Sequence, residues 1–114
     1  MSRHPRLGRV MTIDDEKVDQ MLYQRILHRS GLVDEVIPFR MAPEALAYLR
    51  RTDHAPVDVI LLDVNMPQMN GFEFLERAVA ELGTGFVRGV VIMLTTSLLP
   101  EDRARALSFD VVRD

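Results

Sequence analysis

A chain of 114 residues with a net charge of −3, 47% hydrophobic and 27% charged residues makes one soluble globular domain that can bury a single core without covalent staples. The acidic balance gives no electrostatic case for nucleic acid or an anionic membrane. The absence of cysteine excludes disulfides, thiol catalysis and thiolate metal sites.

The start MSRHPRLGR lacks the apolar region of a signal peptide, and no stretch approaches the ~18 apolar residues of a membrane span, so a cytoplasmic protein is expected. Arg3, Arg6 and Arg9 are spaced as on a solvated terminus. Residues 1–8 are expected to be flexible and residues 9–114 to form the domain. Val10 to Ile13 is short and β-branched and predicts a strand. Val18, Met21, Leu22 and Ile26 then recur at helical spacing, with Gly31 as the stop. Val36 to Phe39 predicts a second strand, and Pro38, which has no N–H to donate, puts it at a sheet edge. Pro43 to Leu49 predicts a helix with proline in its first turn.

Val57 to Leu62 is apolar at nearly every position, as in a strand covered on both faces of a parallel sheet. Leu75, Ala78, Val79 and Leu82 give an amphipathic helix after Gly71, and Gly83 to Gly89 a loop. Val90 to Leu94 predicts a fourth strand, and Pro100 to Leu107 a last helix. Phe109 to Asp114 reads as the approach to a fifth strand. This alternation predicts an α/β fold, a doubly wound parallel sheet of flavodoxin-like order 2-1-3-4-5, with strand 5 and the final helix largely missing from the chain.

In that order strands 1 and 3 are neighbours, and sites form outside the carboxyl ends of the strands. Asp14 and Asp15 end the first strand, and Asp63 ends the third. Side chains on adjacent strands lie close enough to share one ion, and an all-oxygen site suits Mg²⁺. Crowding without the ion raises at least one carboxylate pKa. With it, Asp63 is free to attack phosphorus and form an acyl phosphate. Asn65 offers a backbone carbonyl as a further ligand. Pro67 stiffens the loop, and Gly71 permits a tight turn before the helix. Thr95 ends the next strand, where its hydroxyl can reach a phosphoryl oxygen on Asp63. Taken singly, the doublet could cap the following helix and Asp63 could form a turn. Their joint placement at strand ends points to chemistry. His4, His28 and His54 have no ligand spacing for zinc, and LGTGF has too few glycines for a phosphate loop.

The segments LLDVNMPQMNG, TIDDE and LTTS together resemble the receiver domains of two-component response regulators, especially the single-domain chemotaxis type, from about Arg9 onward. Asn70 stands where the family usually has Asp. The resemblance implies a phosphoacceptor at Asp63, a direct Mg²⁺ ligand at Asp15 with Asp14 beside it, a metal-binding carbonyl at Asn65, and a switch hydroxyl at Thr95. Asn65 and Ser97 match positions that modulate phosphoryl hydrolysis. It also implies a sensor histidine kinase or histidine phosphotransfer protein as donor, a downstream protein partner, and no enzymatic turnover beyond the domain's own phosphotransfer and dephosphorylation.

The family's strand-5 Lys and inward-turning aromatic do not occur before Asp114, so the natural polypeptide is expected to continue. Two alternatives accompany this reading. One is a receiver-like interaction module that accepts no phosphate. The other is a magnesium-dependent phosphohydrolase, disfavoured because Asn65 stands where a second Asp would serve as acid and base.

Overall fold

Runs with a strand period and runs with a helical period alternate along the chain. The computed structural model, which describes residues 7–94 and 100–113, folds them as β1 (Gly8–Ile13), α1 (Lys17–Ser30), β2 (Val33–Phe39), α2 (Ala42–Arg50), β3 (Val59–Asp63), α3 (Gly71–Leu82), β4 (Val90–Leu94), α4 (Pro100–Leu107) and β5 (Val112–Arg113). A single 3₁₀ turn, Thr84–Phe86, interrupts the loop after α3. All strand pairs are parallel, in the order β2-β1-β3-β4-β5. This is the expected flavodoxin-like arrangement, with Pro38 on an edge strand.

Three details refine the sequence reading. Leu7 and Gly8 belong to the ordered sheet rather than to a flexible end, since the Leu7 N–H donates to the Leu32 carbonyl at 2.7 Å and Gly8 pairs with Val33. The fifth strand is largely missing, as expected: only two of its residues, Val112 and Arg113, pair with β4, at Val91 and Ile92. The third detail concerns α1. The apolar repeat that predicts this helix is not the face it buries: Val18 is 75% exposed, and Met21, Leu22 and Ile26 are exposed as well. The buried residue of α1 is Gln20, with Tyr23 and Leu27 half-buried beside it. Gly31 ends it at φ 71°, the left-handed conformation that favours glycine.

The core lies on the other face of the sheet. Met11, Ile13, Ile60, Leu62 and Val91 meet Ala45, Leu46 and Leu49 of α2 and Phe74, Leu75 and Ala78 of α3 in one buried cluster. Each large side chain there contributes about 2 kcal/mol by leaving water. That packing fixes where β1 and β3 end, and therefore where the acids sit.

Candidate functional site

The register carries Asp14 and Asp63 to the same edge. Ile13 pairs with Leu62, so the residue after each is the next rung. Asp14, Asp15 and Asp63 each present a carboxylate oxygen within 4.8 Å of the others, and among the described residues they are the one such group of potential metal ligands. Neither Asp caps α1. Its N-cap is Glu16, with no side-chain cap bond. Helix capping is therefore not the role of the doublet.

The three acids are not equivalent. Asp14 is 2% exposed. Its Oδ1 accepts the Glu16 N–H at 2.9 Å, and its Oδ2 accepts the Tyr23 hydroxyl at 2.9 Å. Asp15 is half-buried, and its carbonyl accepts Arg40 Nη2 at 3.2 Å. Asp63 is half-buried and accepts the Asn65 N–H at 3.3 Å. Burial, then the charge of Asp14, lifts its pKa from 3.8 to about 6. Backbone N–H groups of Asn65 and Val64 oppose the shift, and Asp15 adds to it. Burial, then the bond to Asp14, pushes the Tyr23 phenol up, so it keeps its proton and donates. Three like charges thus share a small space, which an all-oxygen cation site requires and a structural ion pair would avoid.

The loop after β3 is built for close approach. A Cβ on Gly71 would meet the Asp63 carbonyl oxygen at 2.7 Å and Val64 Cα at 3.1 Å, and the Gly71 N–H donates to the Val64 carbonyl at 2.9 Å. Glycine is needed here for space, rather than for a positive φ. Gln68, by contrast, is left-handed at φ 69°, an uncommon state for a non-glycine residue in a loop beside a site. Asn70 starts α3 with a capping box: its Oδ1 accepts the Glu73 N–H at 2.9 Å, and Glu73 Oε1 accepts the Asn70 N–H at 3.1 Å. The N-x-x-E spacing of Asn70 and Glu73 carries this signal in the sequence.

Asn65 sits at the mouth with its side chain exposed. Thr95 and Ser97 lie outside the described residues. Thr95 follows Leu94, which pairs with Asp63. A groove of about 580 Å³ opens beside Asp15, walled by Phe39, Arg40, Met41 and Pro67 among others. A smaller cavity of about 220 Å³, lined by Leu49, His54, Phe86 and Arg88 among others, contains none of the acids.

With this geometry, the family model that matches the chain is decisive: the response regulator receiver domain, over residues 10–113. The chain belongs to that family. The receiver domain is 35% identical over 97 residues to hybrid signal transduction histidine kinase C of Dictyostelium discoideum, a match covering 82% of this chain and 8% of the kinase. It superposes with a TM-score of 0.83 on a two-component response regulator from Cytophaga hutchinsonii, at 27% identity, over 95% of this chain and 83% of that one. It also resembles the phosphorylated cyanobacterial phytochrome response regulator RcpA, with a TM-score of 0.76 and 30% identity, over 90% of this chain and 75% of that one. The domain spans only 20%, 8% and 6% of three curated relatives, a protein-glutamate methylesterase and two hybrid kinases. No helix among the described residues is long and apolar enough to cross a membrane.

Two residues of the site escape the sequence reading, Gln20 and Tyr23. Gln20 is 4% exposed; its Nε2 donates to the carbonyls of Asp14 at 2.9 Å and Phe39 at 2.8 Å, and its Oε1 accepts the Thr12 hydroxyl at 2.6 Å. The available signal is their spacing: three apart, they share a helix face turned away from the Val18, Met21, Leu22 and Ile26 repeat.

Proposed function

We propose that Asp63 accepts a phosphoryl group in a magnesium-dependent reaction from a sensor histidine kinase or histidine phosphotransfer protein, and that this modification switches the affinity of the receiver for a downstream protein. The observation that carries the reading is the convergence of the Asp14, Asp15 and Asp63 carboxylates within 4.8 Å, with Asp63 half-open to water. The donor set fits a hard divalent cation, since every ligand atom is oxygen. Asp15, Asp63 and the Asn65 carbonyl would hold the ion, with Asp14 beside them. When bound, the ion supplies charge neutralisation for the transferred phosphoryl oxygens.

Asp63 supplies the nucleophile. One carboxylate oxygen forms the bond to phosphorus as the P–N bond of the donor phosphohistidine breaks, and the imidazole nitrogen leaves with the electron pair. The groove beside Asp15 gives a donor side chain a route in. In this reading the Thr95 hydroxyl donates to a phosphoryl oxygen once Asp63 is modified, and so links modification to the end of β4. Asn65 cannot exchange a proton near neutral pH, which disfavours phosphohydrolase turnover.

The test is incubation of the domain with Mg²⁺ and a small acyl phosphate, followed by intact mass. One added phosphoryl group is expected in wild type and none in Asp63→Ala. An unmodified wild type, or an Asp63→Ala variant modified to the same extent, removes the reading.

A further inference from the structure

The acidic site has an inner wall that no strand end supplies. Asp14 is its most enclosed member, and both of its carboxylate oxygens already accept hydrogen bonds, from the Glu16 N–H on one side and the Tyr23 hydroxyl on the other, each at 2.9 Å. The main chain of the same residue is held too, through Gln20 Nε2 on its carbonyl at 2.9 Å. Gln20 and Tyr23 are three residues apart and share one face of α1, so a single helix face grips the carbonyl and the carboxylate of one acid.

We propose that Tyr23 is a positioning residue of the acidic site, its hydroxyl fixing the carboxylate of Asp14 so that the remaining lone pair of Oδ2 faces the cation and its waters in one orientation. This rests on the magnesium-dependent reading above and deepens it. A carboxylate oxygen has two lone pairs; a neutral donor uses one and leaves the other available. The choice of a phenol matters, because an Arg or Lys in its place would bring a positive charge that neutralises Asp14 and competes with the ion. Partners of this kind around a metal site orient the ligands, and their loss lowers metal affinity about 10–100-fold.

The hydroxyl and the ring are separable. Tyr23→Phe removes only the bond to Asp14, whereas Tyr23→Leu also removes the ring. Calorimetric titration of the whole chain with MgCl₂ is expected to give a Kd about tenfold higher for Tyr23→Phe than for wild type, with Tyr23→Leu no better. Tyr23→Phe within twofold of wild type overturns the proposal, and so does a loss confined to Tyr23→Leu, which would assign the effect to packing. Wild type that binds no Mg²⁺ overturns this proposal and the phosphoacceptor reading together. Binding that survives Tyr23→Phe overturns this one alone.

A second measurement needs no substitution at Tyr23. The chain has no tryptophan and two tyrosines, and Tyr48 is engaged elsewhere, accepting Arg9 Nη2 at 2.6 Å. In Tyr48→Phe, ultraviolet-excited emission therefore reports on Tyr23. That emission is expected to change on adding Mg²⁺, with the midpoint found by calorimetry. Saturating Mg²⁺ without a change in emission overturns the proposal.

Discussion

Asp58 and Asp63 bracket the same strand and live under opposite rules. Asp58, just before β3, has Arg88 Nε on its Oδ1 at 2.6 Å and the Arg9 N–H on its Oδ2 at 2.9 Å. The Arg88 bond, then the Arg9 N–H, lowers its pKa. Asp63, at the far end, is raised to about 6 by burial and by Asp14. Arg9 extends the ordered end of the sheet, bonding Glu35 at 2.8 Å and Tyr48 at 2.6 Å and donating to the carbonyls of Ala55 and Pro56. One end of the sheet thus pairs Asp58 with Arg88 and Glu35 with Arg9. The other collects like charges whose carboxylates accept from neutral donors, a phenol and backbone N–H groups, while Gln20 and Arg40 bond the main chain. A carboxylate paired with Arg holds the fold, whereas Asp63, crowded by other carboxylates, is the one the proposed cation would relieve.

The sharpest way to break the comparison is to remove the neutral support. Gln20→Leu takes the amide from the Asp14 and Phe39 carbonyls and strands the Thr12 hydroxyl, all in a nearly dry place. It is expected to destabilise the domain by about 3 kcal/mol, read as a lower urea midpoint at an unchanged slope. A loss under ~1 kcal/mol would mean that the acidic end stands without this bridge. Gly71→Ala tests the other wall. The new Cβ would press on the Asp63 carbonyl and Val64, both backbone atoms that cannot swing aside, so a loss of about 2 kcal/mol is expected. Crystals of that variant should show the end of β3 displaced. An unmoved Asp63 at full stability would show that the loop has slack.

These contacts also explain what the sequence could and could not reveal. Strand order was legible because Pro38 demands an edge and Val57 to Leu62 demands cover on both faces. The acids were legible because they terminate two runs whose pairing follows from that order. Gln20 and Tyr23 were not, since their role depends on how α1 is rotated against β1. The apolar repeat Val18, Met21, Leu22 and Ile26 points the helix the other way. Their roles emerge only when the end of β1, the end of β2 and α1 are in place together. Gly71 was legible as a necessary glycine, but its reason is close approach to Asp63.

The smallest effect is the most diagnostic, because Asp58 and Asp63 should respond to pH with opposite signs. In the metal-free domain the folded state keeps a proton on Asp63 up to about pH 6, while the unfolded chain releases it near 3.8. Between those values the folded state binds more protons, so this group's contribution is fully present below pH 3.8, declines as pH rises, and is gone above about 6. Asp58 does the reverse: its lowered pKa stabilises the fold above the unfolded value, and that support is lost as pH falls through the folded one. Asp63→Asn is therefore expected to match wild type near pH 4 and to exceed it by about 1 kcal/mol at pH 7 in EDTA, a modest figure because the site is half-open to water. Saturating Mg²⁺ should erase that gain, since the ion stabilises only the wild-type carboxylate. Asp58→Asn should be less stable than wild type at pH 7 and converge with it only under acid conditions. Urea midpoints across this range decide the matter. An Asp63→Asn variant no more stable than wild type at neutral pH without metal would mean that the three acids do not strain one another, and the contrast between the two ends of β3 would be lost.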